Sequence, residues 1–437
     1  MPTDPAAHND TLARHLDQGI QAHMAGELET AQAHYDSILA AQPDMPDALR
    51  FLGILRHQQG QSEAGVALLQ RSIALAPSAP AHNDLGNLLS QLGDLDGAAL
   101  AFLSALELEP GDPNHWNNLG ATLQKLGRLD QAAEALHGAI QVDPNFAAAL
   151  HNLGDVYTAR NQPEIAAEYY CRAYVQPPFE GKPWNLLGIA HACLHNAEAA
   201  AAAYREWMKA EPDNPRAHHM YAACQGGHGP ERASDAFIEQ TFDAYASKFE
   251  NHIVGVLDYR GPEQIEAMLR SLLLPEKRHA VLDGGCGTGL CGPVLAHYAT
   301  RLTGVDLSSG MLAEAQQRGC YDALEKTELT AHLNANPGSY DLISMADTVI
   351  YFGDTRALFA AAHAALRPGG LMAFTVEASD TDDYRITPSG RYQHASQQLI
   401  RILEAQGFEI LAQHDHTLRR EFGKPVAGLA LGVRRRD

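Results

Sequence analysis

Proline recurs at positions 43, 77, 110, 144, 178 and 212, at steps of 34, 33, 34, 34 and 34 residues. A fixed period of this size restricts the first half of the chain to stacked copies of one small unit. Leu-Gly pairs keep the same step at 52/53, 85/86, 119/120, 153/154 and 187/188. The segment HWNNLGATLQKLGRLDQAAEALHGAIQVDPN (115–145) assigns a task to each position. Trp116, Leu119 and Leu123 form one apolar face at helical spacing, and Gly120 admits a neighbouring helix. A turn at Gly127 starts a second helix with Ala132, Leu136 and Ala139 on its stripe, and Pro144 closes the unit because its ring cannot continue a helix. A helix pair this small cannot bury its own face, so neighbours must stack into an all-α solenoid.

These positions resemble the tetratricopeptide repeat, with its W-x2-L-G start, small residue, aromatic, Ala and Pro. Six repeats begin near 12, 46, 79, 113, 147 and 181, and PRAHHMYAACQ (215–225) reads as the first half of a capping pair. The first two repeats are degenerate, with His15 at the Trp position and Gly65 at the usual Ala. The expected division is a flexible N-terminus over 1–11, a solenoid over 12–225, a linker and lead-in helix over 226–261 and a second domain over 262–437. On the inward face of the first helices Asn83, Asn87, Asn117, Asn118, Asn152 and Asn185 cluster. Asparagine is a middling-to-poor helix former, whereas a ladder of amides can bind an extended peptide backbone, as some arrays of this family do. An alternative stands beside that reading, in which the amides are solvated or tie adjacent helices together.

The punctuation GGHGP at 226–230 ends the repeat pattern. From 279 short apolar runs alternate with helical stretches: HAVLD, then a helix near 290–298; RLTGVD, then 309–319; YDLISM, then 354–366; GGLMAFTVE, then 394–406. That alternation predicts a parallel, doubly wound α/β sheet. FEILAQHDH and PVAGLALGV follow with only a loop between them, so they must pair antiparallel.

The turn VLDGGCGTGLCG (281–292) admits two glycine registers. Gly287, Gly289 and Gly292 have the G-x-G-x-x-G spacing of dinucleotide-binding proteins, which would demand that Asp283, Gly284 and Gly285 continue the strand. They are poor strand residues. A strand ending at Asp283 instead sets Gly285, Gly287 and Gly289 in the turn and opens a helix near Leu290, with Pro293 in its first turn. An acid beside the glycine turn repels pyrophosphate and welcomes a cation.

VLDGGCGTG also resembles the first motif of class I S-adenosylmethionine-dependent methyltransferases, V-L-D-x-G-C-G-T-G. The resemblance extends to LTGVDLS, DLISMAD (341–347) and LRPGG (366–370), and it implies a Rossmann-like methyltransferase domain with S-adenosylmethionine as cofactor. It places Asp306 at the end of strand two, where a carboxylate accepts both ribose hydroxyls, and Met311 against the adenine. Asp283 faces the methionine amino group, and Tyr245, Gly285, Gly287, Gly289, Leu307 and Asp347 complete the expected cofactor set. Glu328 stands where relatives commonly carry an Asp that touches the adenine amino group. More narrowly, FDAYASKFENHI, LDYRGPEQI, SGRYQHA and PVAGLALGV resemble predicted bacterial methyltransferases that carry tetratricopeptide repeats in the same order.

The acceptor should enter above the ends of strands four and five. Tyr259, Arg260, Arg391 and Tyr392 are the candidate substrate contacts, Tyr351 follows strand four, and His394 or Glu377 is a candidate general base. The leading expectation is a methyltransferase whose repeats capture a protein or peptide. The same chemistry on a small metabolite, with the repeats used for oligomerisation or partner docking, is the second; a non-catalytic scaffold that senses cofactor is the third.

Charge argues against nucleic acid. The first 230 residues carry 12 Lys+Arg and 26 Asp+Glu, net -14, and the remainder 20 and 27, net -7, which sum to -21. Six scattered cysteines without C-x-x-C, and 22 histidines without paired spacing, predict free thiols in a reducing cytoplasm and no metal. No window approaches the ~20 apolar residues of a membrane span.

Overall fold

The structure is a computed structural model and describes residues 5–255, 259–272 and 278–437. It divides into two compact units, Met1–Pro177 and Pro178–Asp437. In the first, α1 to α10 occupy Pro5–Met24, Leu28–Ala41, Pro46–Gln58, Ser62–Leu75, Ala79–Leu92, Leu95–Leu108, Pro113–Lys125, Leu129–Val142, Ala147–Ala159 and Pro163–Tyr174. Residues 1–4 lie outside the described residues, and helix already begins at Pro5, ahead of the expected start near 12.

The repeat positions do what their spacing implied. Leu119, Ala132, Leu136 and Ala139 are buried in one cluster, with Trp116 packed against it. A Cβ on Gly120 would lie 2.5 Å from Leu136 Cγ, so the two helices of this repeat approach at a distance that only glycine permits. Helix starts are fixed locally: Asp94 accepts from Gly97 N at 3.0 Å and Asp112 from Asn114 N at 2.8 Å, with Pro113 in the first turn of α7. Charged side chains tie adjacent repeats together, Arg50 reaching Asp84 at 2.5 Å and Arg128 reaching Asp96 at 2.8 Å.

The second unit opens with three helices of the same kind, α11 (Trp184–Cys193), α12 (Ala197–Ala210) and α13 (Pro215–Cys224), then α14 (Asp235–Asp243), α15 (Ala246–Gly255) and α16 (Gly261–Leu272). The sheet follows as β1 (His279–Gly284), α17 (Gly292–Ala296), β2 (Ala299–Asp306), α18 (Ser309–Gln317), β3 (Ala323–Lys326), α19 (Leu329–Ala335) and β4 (Tyr340–Met345). It continues with α20 (Arg356–Ala365), β5 (Leu366–Ser379), β6 (Arg385–Ile386), β7 (Tyr392–Ala395), α21 (Ser396–Ala405), β8 (Phe408–Glu421) and β9 (Lys424–Arg435). The path is β3-β2-β1-β4-β5-β7-β6, and β9 lies antiparallel to both β5 and β8. The expected doubly wound sheet with an antiparallel end is therefore present.

Four local expectations need correction. β1 runs on to Gly284, which pairs with Val305, because the parallel ladder with β2 holds one more residue than strand propensity alone would grant. The helix after the glycine turn is only Gly292–Ala296. LRPGG lies within the bounds of β5, with a local turn at Gly369, φ 73°. Tyr392 and His394, expected just ahead of or within a helix, sit on β7, where pairing of Gln393–Ala395 with Glu377–Ser379 outweighs the helical pattern that resumes at Ser396.

Candidate functional site

A cavity of about 680 Å³ opens over the C-terminal ends of β1, β2 and β4, the position where open α/β sheets bind ligands. Its floor is the glycine turn. Gly285, Gly287 and Gly289 all take positive φ, at 74°, 53° and 79°, and Gly292 does not, which settles the register in favour of the first three. A Cβ on Gly285 would fall 2.3 Å from Thr348 Oγ1, whose hydroxyl donates to Gly284 O at 2.8 Å. A Cβ on Gly287 would meet nothing within 4 Å, so the backbone there borders open cavity. Gly289 faces Tyr321 and Arg318 and does not line the cavity; its part is to shape the turn.

Acids ring this floor. Asp306, ending β2, accepts from Gly287 N at 2.9 Å and Ser308 N at 2.8 Å; burial raises its carboxyl, and those backbone N–H groups oppose the rise. Asp283 is fully buried, accepts a hydrogen bond from Tyr321 Oη at 2.6 Å, and is raised by burial to about 7. Leu307, Met311, Tyr245, Glu328 and Asp347 line the same space. Glu328 caps α19 through Oε2, which accepts from Ala331 N at 2.7 Å, and leaves Oε1 buried without a partner. Asp347 sits at φ 55° two residues past the end of β4, with Oδ2 3.4 Å from Arg419 Nη1 and Oδ1 buried without a partner. Thr241 Oγ1 and Thr288 Oγ1 are likewise buried and unpaired. Four such atoms in one cavity mark it as built for a polar ligand, since a buried group left unpaired costs about 1 to 3 kcal/mol.

Tyr351, Tyr259 and Arg391 line the same cavity, as expected. Tyr351 meets Phe242 edge-on at 5.7 Å, and burial raises both tyrosine hydroxyls. Arg391 is ion-paired with Glu421. Asn185, on α11, lines the cavity too, together with Leu186, Ile189 and Arg216.

Other expected site residues lie elsewhere. Glu377 is 2% exposed and locked to Arg419, which is 1% exposed, so its carboxylate is committed to a buried ion pair. His394 faces a separate cavity with His228, Thr355 and Tyr384; burial lowers it to about 4, leaving a neutral ring. Tyr392 is buried, donates to Pro230 O at 2.7 Å and packs with Ala223 and Ile386. Arg260 is exposed, outside the cavity. In the first unit the ladder closes on itself: Asn118 Nδ2 donates to Asn83 Oδ1 at 3.0 Å and Asn152 Nδ2 to Asn117 Oδ1 at 2.9 Å. The alternative in which these amides tie neighbouring helices is the one the geometry carries.

Sequence reasoning missed Tyr321, Thr348, Arg419 and Asp243. Asp243 Oδ1 accepts from Ser308 Oγ at 2.5 Å and Gly310 N at 2.9 Å, which fixes α14 to the start of α18 beside Asp306. Its signal was available, since it lies in the aromatic FDAYASKF segment; Tyr321 and Arg419 have no local pattern to reveal them.

Residues 281–370 match a family model described as a methyltransferase domain. Residues 16–80 and 112–174 match models described as tetratricopeptide repeat, and 86–127 one described as TPR repeat. The chain thus joins tetratricopeptide repeats to a class I methyltransferase domain. The cofactor of such a domain is S-adenosylmethionine, and the unpaired Glu328 and Asp347 oxygens and the open Gly287 backbone fit a cationic, donor-bearing ligand. Over 164 residues the chain is 26% identical to a ubiquinone biosynthesis O-methyltransferase of Vibrio cholerae, covering 34% of this chain and 63% of that protein. Over 149 residues it is 32% identical to the biotin biosynthesis bifunctional protein BioCD of Bordetella avium, covering 34% and 31%. It spans less than two thirds of the length of either relative. A solved S-adenosylmethionine dependent methyltransferase from Mesorhizobium loti is similar at 24% identity over 39% of this chain and 96% of that chain, TM-score 0.32. The crystal structure of MamA is similar at 24% identity over 36% and 91%, TM-score 0.33. Among the described residues no helix is long and apolar enough to cross a membrane.

Proposed function

We propose that the chain transfers a methyl group from S-adenosylmethionine to an acceptor held on the Arg391 side of the cavity. The observation that carries this reading is the concentration of four unpaired buried polar atoms around a glycine turn whose backbone borders open space. When bound, S-adenosylmethionine supplies an electrophilic methyl group on a sulfonium sulfur. In this assignment Asp306 holds the ribose hydroxyls, Glu328 Oε1 takes the adenine amino group, Met311 and Leu307 flank the ring, and Asp283 faces the methionine amino group. Gly285 and Gly287 let the backbone approach, while Gly289 keeps the turn. Tyr245, Tyr351 and Tyr259 wall the reacting centre from water. Displacement at sulfonium needs alignment above all, and orientation can supply about 7 to 11 kcal/mol. His394 and Glu377 lie outside the cavity, so neither takes a proton from the acceptor in this proposal.

The acceptor in this proposal is a protein or peptide docked by the repeats, in a reducing cytoplasm where the six free cysteines stay thiols. A small-molecule acceptor is the second reading, favoured by the amide ladder being bonded within itself. Both are decided by incubating the full-length chain with methyl-labelled S-adenosylmethionine and size-fractionated lysate from its source. Label in macromolecules is the expected result; label confined to the small fraction moves the acceptor to metabolites, and no label despite measurable S-adenosylhomocysteine binding rejects methyl transfer. Asp306→Asn should weaken S-adenosylhomocysteine about tenfold or more, at roughly 1.5 kcal/mol or more per hydrogen bond to a charged group. Unchanged affinity in calorimetry removes Asp306 from the ribose site.

A further inference from the structure

Four arginines line the cavity, and their surroundings differ in one respect. Arg232 is paired with Asp235 at 2.6 Å, Arg391 with Glu421, and Arg419 with Glu377, Glu421 and Asp347. Arg216, in the first turn of α13, has no carboxylate within ion-pair distance among the described residues. Its guanidinium lies 5.8 Å from the centre of the Trp207 ring, and the nearest acid by its field, Glu211, bonds Asn214 instead at 2.5 Å. Burial disfavours its charged form. The α13 N-terminus offers no competing demand, because Asn214 Oδ1 already caps Arg216 N and Ala217 N.

Asn185 departs from its series in the same way. The amides of Asn83 and Asn118 and of Asn117 and Asn152 are bonded in pairs, whereas those of Asn87 and Asn185 make no hydrogen bond to another described residue, and of the six only Asn185 lines the cavity. Between α11 and the sheet the walls are apolar and aromatic, with Ile189, Phe237 and Phe242. A guanidinium with no carboxylate at ion-pair distance and an amide with no hydrogen bond, in such walls, form the donor set that a carboxylate satisfies.

We propose that Arg216 and Asn185 form an anion subsite that binds a carboxylate on the methyl acceptor, so that the last repeat-like helices contribute acceptor specificity. This rests on the methyl-transfer reading for its biological meaning, but the subsite is a property of the cavity and is tested apart from turnover. The carboxylate belongs either to a small acid or to an acidic group on a peptide, and the labelled lysate fractions described above separate those two sources.

The full-length chain, saturated with S-adenosylhomocysteine whose own binding is measured first, is titrated with benzoate and with benzamide. These probes share a ring and differ in charge. The expected result is benzoate binding about tenfold tighter than benzamide, equal to about 1.4 kcal/mol. Arg216→Gln should abolish that preference, Arg216→Lys should keep part of it, and Asn185→Asp, which sets a like charge in the subsite at constant volume, should abolish it with the circular dichroism spectrum unchanged. Equal affinities, binding of neither probe, or a preference that survives both Arg216→Gln and Asn185→Asp overturns the subsite. Failure of S-adenosylhomocysteine to bind, with the benzoate preference intact, instead rejects the cofactor reading and leaves the subsite standing.

Discussion

Asp283 carries the local tension of the glycine turn. Burial pushes its carboxyl up to about 7, Tyr321 Oη holds one oxygen, and the neighbouring acid Asp306 disfavours a second charge. The unfolded carboxyl titrates near ~3.9, so the folded pKa lies above the unfolded one. Its relative contribution to stability is therefore complete below about pH 4 and is lost as pH rises to about 7. Asp283→Asn should match the wild-type melting temperature at pH 4 to 5 and exceed it at pH 8; an equal or lower value at pH 8 contradicts a carboxyl held neutral. If the ionised form faces the methionine ammonium, binding S-adenosylhomocysteine near pH 6.5 should release a proton, read as a dependence of calorimetric heat on buffer. The acid itself was legible, because a strand-ending Asp beside G-x-G-x-G is a local pattern. Tyr321 was not, since a partner 38 residues away reaches Asp283 only once β2 and α18 are folded.

At the scale of elements, β4, β5, β7 and β8 meet in a buried charge network. Arg419 on β8 reaches Glu377 on β5, Asp347 after β4 and Glu421 near the end of β8, while Arg391 just before β7 also holds Glu421. Burial works against the charged form of Glu421, yet the two arginines together hold its carboxyl below the usual range. Glu377→Ala would leave Arg419 charged with one partner fewer. The expected cost is about 3 to 5 kcal/mol in urea unfolding, with the pH profile of methyl transfer unchanged. A shifted profile at wild-type stability would restore Glu377 as a base. Sequence pattern found Glu377 in a strand, erred on its use and missed Arg419, because an ion pair across 42 positions is invisible to periodicity. His394 misled for a related reason: a strand register with β5 turned its ring away from the cofactor cavity.

For the whole molecule, the 34-residue period is the most legible feature, and it runs past the start of the second compact unit. The repeat pattern runs to residue 225, but α11 to α13 belong to the compact unit that starts at Pro178. His219 Nε2 donates to Gly390 O at 2.8 Å and its ring stacks on Phe237 at 3.9 Å, while Ala223 packs with Ile386 and Tyr392. Uncovering two aromatic side chains of roughly 150 Å² each forfeits up to roughly 7 kcal/mol at ~25 cal/mol per Å². That is comparable with the whole stability of a domain, about 5 to 15 kcal/mol. A chain of residues 178–437 should therefore bind S-adenosylhomocysteine within about twofold of full length, since it keeps every residue that lines the cavity. A chain of residues 226–437, cut where the repeat pattern ends, should aggregate or melt without a cooperative transition. Equal cofactor affinity and melting temperature in the two truncations would show that α11 to α13 are dispensable to the site. Methyl transfer by residues 178–437 to the same macromolecular acceptor, at the full-length kcat/KM, would remove the capture role from the first five helix pairs.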